Sequence, residues 1–334
     1  MHKPPFATAY KQYGEALLAL ARERPEILCL SGDLTRQCEI DLFQDALPDR
    51  FIHAGMAEAN MVGVAGTLAR QGFLPYVHTF GVFATRRPYD QIANAVAYPA
   101  LPVRLIGFMP GISSPGGPSH QAIDDIALMR ALPNMTVVDV ADANEVRQVP
   151  AAIADIPGPV YVRLKRGEVP VIFDEDHELS LSRAQVVLEG TDVVFIATGM
   201  MLAPALAAAQ ALDGVGVSAG VINVTTIKPI DGETVRAASA SARLVISAEN
   251  HSIVGGLGSA VAEVIAEAGI GVPLRRIGLR DTFAEGAATR EYLFRKYGLS
   301  TQDLIDTAWA GLGQDGQAPT AAAVESGADE YAPV

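Results

Sequence analysis

The runs Val103-Arg104-Leu105-Ile106, Thr136-Val137-Val138 and Val160-Tyr161-Val162 are short, apolar and separated by helix-length stretches. Near-continuous apolar strands that alternate with helices belong to a parallel sheet covered on both faces, because each parallel return needs a crossover. These runs therefore predict an α/β fold. Toward the N-terminus the pattern continues. Residues 10–22 place Tyr13, Ala16, Leu17 and Ala21 at helical spacing, Pro25 follows, and Ile27-Leu28-Cys29-Leu30 reads as a buried strand. Residues 57–71, rich in Ala, Gly and Val, predict a helix buried almost all round.

Composition shifts between Gly167 and Gly190, where an acidic cluster (Asp174, Glu175, Asp176, Glu178) replaces any long periodic run. A second alternating block follows, with strands expected at 193–197, 217–224 and 244–247 and helices near 203–211, 258–268 and 289–297. The expected organisation is two doubly wound domains, 1–170 and 191–313, joined by a linker over 171–190. Residues 314–334, rich in Ala, Gly, Asp and Glu, are expected to form a disordered tail. No fixed-period repeat is present.

A chain of 334 residues, 49% hydrophobic, can bury two cores of this size. The formal net charge of −13 excludes a nucleic-acid or anionic-membrane partner, since both need a basic surface. No apolar run approaches the ~18 residues that span a bilayer, and Met1-His2-Lys3-Pro4-Pro5 lacks a signal-peptide pattern. Cys29 and Cys38 sit in no metal or redox spacing and read as reduced thiols, so a cytoplasmic location is expected.

Some motifs mislead. Gly255-Gly256-Leu257-Gly258 has neither the third glycine nor the later acidic residue of a dinucleotide fingerprint, and reads as a tight turn feeding a helix. The Gly/Ser/Pro-rich stretch 111–117 has no GK[ST] ending. Ser113, Ser114 and Ser119 lie near His120, but no GxSxG elbow is present.

Three segments carry chemistry jointly. Gly55-Met56-Ala57-Glu58-Ala59-Asn60-Met61 puts one carboxylate into an otherwise apolar helix, where it needs a specific hydrogen-bond partner or a raised pKa. Thr79-Phe80-Gly81-Val82-Phe83 sets two aromatics close together after a strand. Gly116-Gly117-Pro118-Ser119-His120-Gln121 is a loop presenting a histidine. Taken singly, these read as a helix-start Glu on the macrodipole, core packing and a solvated histidine.

Together and in this order, the three resemble the transketolase family. Ser31-Gly32-Asp33-Leu34-Thr35, Arg130-Ala131-Leu132-Pro133-Asn134-Met135, Val162-Arg163-Leu164-Lys165-Arg166, Asn223-Val224-Thr225-Thr226-Ile227-Lys228-Pro229-Ile230-Asp231 and Glu249-Asn250-His251 extend the resemblance through nearly the whole chain before the tail. The resemblance implies a pyrimidine-binding domain followed by a transketolase C-terminal domain. It implies thiamine diphosphate as cofactor, with Glu58 on N1′ of the aminopyrimidine, Phe83 stacked on that ring, Phe80 lining the pocket and Asp33 near the thiazolium. His120 would face the substrate, and Arg166 and Lys11 would lie along its path, with Arg163 the alternative to Arg166.

The family's GDG…N metal motif has no counterpart here. The resemblance therefore implies a split enzyme: Mg²⁺ and the diphosphate would be held by an N-terminal partner subunit in an α2β2 assembly. Gly116 stands where phosphosugar transketolases carry an acidic residue. Lys11, Gln37 and Phe108 stand where those enzymes grip phosphate with Arg, Ser and His. A modified or differently charged ketose is thus the expected donor. The alternatives are a deoxyxylulose-phosphate synthase-like enzyme, a 2-oxoacid dehydrogenase β-type subunit, or a non-catalytic scaffold. The stretch Asp281-Thr282-Phe283-Ala284-Glu285-Gly286 favours transketolase.

Overall fold

The computed structural model describes residues 1–321. Its strands are β1 (Thr8–Ala9), β2 (Ile27–Ser31), β3 (Phe51–His53), β4 (Leu74–Phe80), β5 (Arg104–Phe108), β6 (Thr136–Asp139), β7 (Val160–Leu164), β8 (Val169–Pro170), β9 (Gln185–Leu188), β10 (Val193–Ala197), β11 (Ala219–Asn223), β12 (Thr226–Lys228), β13 (Leu244–Ser252) and β14 (Leu274–Leu279). A seven-stranded sheet has the order β12-β6-β7-β5-β4-β2-β3 and a five-stranded sheet the order β14-β13-β10-β11-β9. Each is parallel except for one antiparallel edge strand, β12 in the first and β9 in the second. β1 and β8 form a separate antiparallel pair.

The apolar runs of the first sheet are buried because both of its faces carry helices. Successive strand residues point to opposite faces. Cys29, Tyr76, Ile106, Val138 and Val162 accordingly enter one core, while Leu28, Leu30, Val77, Leu105, Val137 and Tyr161 enter the other. The Gly255-Gly256 turn does feed a helix, Leu257–Glu267. Its first amides donate to the buried Glu249 carboxylate at 2.7 and 2.9 Å, and burial pushes that carboxyl up to about 7. Among the described residues, no helix is long and apolar enough to cross a membrane.

Four expectations need correction. Residues 185–188 are not linker: they form β9, at the edge of the second sheet. Thr226-Ile227-Lys228, which follows the second sheet's β11, returns as an edge strand of the first sheet, so the two units share a strand. The helix Glu58–Arg70 is buried along Glu58, Met61, Val62, Ala65, Gly66 and Ala69, while Asn60, Val64 and Thr67 are exposed. Residues 314–321 are tied down: Trp309 Nε1 donates to the Gly316 carbonyl, and the Gln302 side chain bonds both Pro319 and Ala321. The rest of the expected tail, 322–334, lies outside the described residues.

A clasp centred on Arg163 joins the units. This side chain, at the carboxyl end of β7, is fully buried. It donates from Nε to Asp125 at 2.8 Å, from Nη1 to Asp139 at 2.7 Å and from Nη2 to the Asn250 carbonyl of β13 at 2.9 Å. Asp125 also accepts from the Tyr161 hydroxyl at 2.6 Å. Asn250 Nδ2 donates to the Pro110 carbonyl, and its Oδ1 accepts from the Ile112 amide at 3.0 Å. Gly111 closes this contact with φ +59°, and a Cβ there would meet Asn250 at 2.1 Å. Breaking a buried pair strands its other charge, so Arg163→Met should cost about 3–5 kcal/mol, read as a lowered urea midpoint. A loss under about 1 kcal/mol, the ordinary effect of a point substitution, would show that the clasp does not hold the units together.

Candidate functional site

The carboxyl ends of the first sheet's parallel strands meet at one rim, where open α/β sheets bind ligands. β2 runs into Gly32-Asp33, and β3 leads to the helix opened by Glu58. β4 ends at Phe80 and continues into the short helix Gly81–Thr85, which carries Phe83. β5 leads into the loop holding His120, and β7 leads to Arg166. Parallel topology alone therefore brings five separated stretches of sequence to one edge.

Glu58 is the first residue of its helix and only 3% exposed. The helix N-terminus favours its negative charge, but a buried carboxylate still needs a partner. The partner is Arg87, whose Nη1 donates to Glu58 Oε1 at 2.5 Å. The same guanidinium lies over the Phe83 ring, 4.0 Å from its centroid, a cation–π contact. Phe83 and Arg87 are four residues apart on a turn that stays helical through Arg86, the spacing at which helical side chains meet.

Phe80 and Phe83 stack with centroids 6.0 Å apart and planes inclined by 21°. His120 meets both edge-on, at 5.2 Å and 73° from Phe83 and at 6.4 Å and 65° from Phe80. Its Nδ1 is 2.9 Å from the Ser119 hydroxyl. When that hydroxyl donates, the proton of the neutral ring is left on Nε2. The loop carrying His120 is braced by the second unit: Gln121 Nε2 donates to the Glu285 carbonyl at 3.2 Å and the Ala287 amide to the Pro115 carbonyl at 2.6 Å. Gly116 is required here, because a Cβ would come within 2.8 Å of His120 Cβ and Cγ.

The structure thus links Phe80, Phe83 and His120 to one another, and Arg87 joins Phe83 to Glu58. Asp33 reaches the same rim in a left-handed conformation, φ +67°, but its carboxylate faces His53 Nε2 at 3.2 Å and both side chains are half-exposed. Lys11 pairs instead with the first residue of the helix Asp41–Ala46. The Lys11 ammonium is 3.6 Å from Asp41, and Arg166 acts on the buried Cys38 thiol, opposing the rise in pKa that burial causes. Arg163, the alternative to Arg166, is consumed by the clasp. Sequence reading missed Arg87, which carried a signal only in its distance from Phe83. Cys29 and Cys38 are free and buried, and burial pushes both thiols well up, which keeps them protonated and unreactive.

Residues 7–171 match the transketolase pyrimidine binding domain and residues 182–304 the transketolase C-terminal domain. The chain belongs to the transketolase family. It is 41% identical over 297 residues to the 6-deoxy-6-sulfo-D-fructose transketolase subunit SqwH of Clostridium sp. (strain MSTE9), covering 89% of this chain and 92% of that one. It is 33% identical over 300 residues to an apulose-4-phosphate transketolase subunit of Phocaeicola vulgatus, covering 89% and 95%. A split-gene transketolase solved as an inactive beta4 tetramer superposes with a TM-score of 0.84 at 40% identity, over 92% of this chain and 99% of that one. The Campylobacter jejuni transketolase shares the fold, with a TM-score of 0.75 at 20% identity, and this chain spans 47% of its length. Family membership implies the use of thiamine diphosphate.

Gly116→Ala should push His120 off the phenylalanine pair and leave the fold alone. Its imidazole proton NMR signals, now shifted by two flanking rings, should move toward solvent values while stability changes by less than about 1 kcal/mol. Unmoved signals would mean that the loop absorbs the methyl group elsewhere.

Proposed function

We propose that this chain is one subunit of a thiamine-diphosphate-dependent transketolase that moves a two-carbon ketol unit from a ketose to an aldose. The observation that carries the proposal is the pairing of a buried helix-start carboxylate with an aromatic face, Glu58 with Phe83. Between them there is room for a flat cationic group, because the Arg87 guanidinium already lies there with an N–H on the carboxylate and its carbon 4.0 Å from the ring centroid. A protonated aminopyrimidine makes the same two demands, so the residues fit the cofactor's pyrimidine end.

Bound thiamine diphosphate supplies a nucleophilic carbon and an electron sink for cleavage of the C–C bond. Glu58 would hold a proton against the ring nitrogen N1′, a task that requires a carboxylate shielded from water. Phe83 would stack on the ring and Phe80 would wall the pocket, keeping water from Glu58. His120, whose edge faces both rings, would donate from Nε2 to the substrate oxygen on which charge develops. Asp33, on the neighbouring strand end, would lie toward the thiazolium. Lys11 and Arg166 would offer positive charge to an anionic end of the sugar. The relatives named for a sulfo-sugar and a sugar phosphate support a charged or modified ketose. Mg²⁺ and the diphosphate would be held by an N-terminal partner carrying GDG…N, in an α2β2 assembly.

Glu58→Ala should abolish turnover of the reconstituted enzyme while the chain still folds, because the remaining Arg87 is 47% exposed and can turn to water. Activity within roughly tenfold of wild type, a barrier change of only about 1.4 kcal/mol, would refute the role of Glu58. His120→Ala should lower turnover by about 10²-fold, the scale of one lost oxyanion donor, with cofactor affinity little changed.

Calorimetry and a ketol-transfer assay test the division of labour. The purified chain should bind thiamine diphosphate weakly and transfer nothing, and mixing with a GDG…N partner should restore both properties. Full activity from this chain alone would disprove the split.

A further inference from the structure

Arg87 has no role in the chemistry proposed above, yet it touches both groups assigned to the pyrimidine. We infer that its guanidinium stands in for the aminopyrimidine in the cofactor-free subunit and must leave when the cofactor enters. The inference rests on the assignment of Glu58 and Phe83 to the pyrimidine.

Geometry makes the two occupants exclusive. A guanidinium 4.0 Å from the Phe83 centroid takes up the layer in which a stacked ring would lie, and its Nη1 holds Glu58 Oε1, the oxygen that would face a ring nitrogen. The groups are also chemically alike: each is a flat, delocalised N–C–N system with an N–H in its plane and a face for the aromatic. Arg87 is needed because Glu58 is 3% exposed, and a buried carboxylate without a partner is costly. The cofactor would supply that partner, so an empty subunit must supply its own.

Neighbouring arginines show that Arg87 alone is placed to leave. Arg163 is locked into the clasp with all its bonds buried. Arg86 is bonded to the Asp124 carboxylate through Nε at 2.9 Å and Nη2 at 2.8 Å. Arg87, by contrast, hydrogen-bonds only Glu58 among the described residues, and its side chain is 47% exposed. Its stem can swing outward and solvate the charge without breaking any other contact than the one to Phe83.

The test compares wild type, Arg87→Ala, Glu58→Gln and the double variant in two states: the full chain alone, and the chain mixed with its diphosphate-binding partner, Mg²⁺ and thiamine diphosphate. If Arg87 is a stand-in, Arg87→Ala should lower the urea midpoint of the chain alone but leave that of the loaded enzyme unchanged. It should also tighten cofactor binding by up to roughly fivefold, the upper end for a partly exposed ion pair, because the empty state has lost its substitute. In the Glu58→Gln background, the same change should lower the midpoint of the chain alone little. Weaker cofactor binding by Arg87→Ala would overturn the inference, since Arg87 would then touch the bound cofactor. So would a midpoint and an affinity that both stay at wild-type values. Failure of the underlying assignment has a different signature: Glu58→Gln would bind cofactor and turn over like wild type, whatever Arg87→Ala does.

Discussion

The buried guanidinium of Arg163 is the constraint on which the rest depends. It is anchored in β7 of the first sheet and reaches Asp125 on a helix, Asp139 at the end of β6 and the Asn250 carbonyl in the second sheet. Taking a charge this far from water is favourable only when every donor finds an acceptor, so these bonds form together or not at all. That mutual dependence sets the relation of the two sheets. It also fixes the start of the 109–121 loop through Asn250, Pro110 and Ile112. His120 sits at the other end of that loop, so its position over the phenylalanines depends on a contact that never touches it.

The rim is built from a similar economy of buried charge. Parallel strands deliver their carboxyl ends to one edge, and the helix that follows β3 offers its N-terminus to Glu58. The carboxylate gains from the dipole but loses water, and the balance is struck by one half-exposed cation. The aromatic pair supplies an apolar wall and leaves one face of Phe83 open to a flat positive group. His120 packs against both rings at a steep angle, 73° to Phe83 and 65° to Phe80.

The parallel sheet was legible because a strand buried on both faces is mostly apolar, as β2, β5 and β7 are apart from Arg104 and Arg163. Glu58, the phenylalanines and His120 were legible as a constellation, each in a short segment of distinctive composition. Longer-range pairings were not. β12 is three residues long, and it joins the first sheet by pairing with residues nearly ninety positions earlier, a relation that leaves no local periodicity. β9 was hidden by the polar composition of the segment before it. Lys11 and Asp33 illustrate the opposite limit: sequence named them, while the side chains they pair with are Asp41 and His53. Arg87 was invisible because a surface-facing arginine acquires meaning only from the carboxylate that the fold brings to it.

A subunit that carries part of a site must fold before the other part arrives, and its ligand-facing groups must survive that interval. An enzyme in one chain can leave this to a permanently enclosed cavity. A separate subunit presents the same groups at a rim, where a buried carboxylate and an open aromatic face would each be unfavourable alone. Here each has a partner within the chain: Glu58 and Phe83 share Arg87, His120 leans on Ser119, and Asp33 pairs with His53. Three of these four contacts join side chains that are exposed or half-buried, which solvent can replace at little cost. The exception is Glu58, whose burial demands a substitute of the right shape. If Glu58 and Phe83 receive the pyrimidine as proposed, the Glu58–Arg87 pair is the contact on which the empty site's stability and the cofactor's affinity would trade against each other.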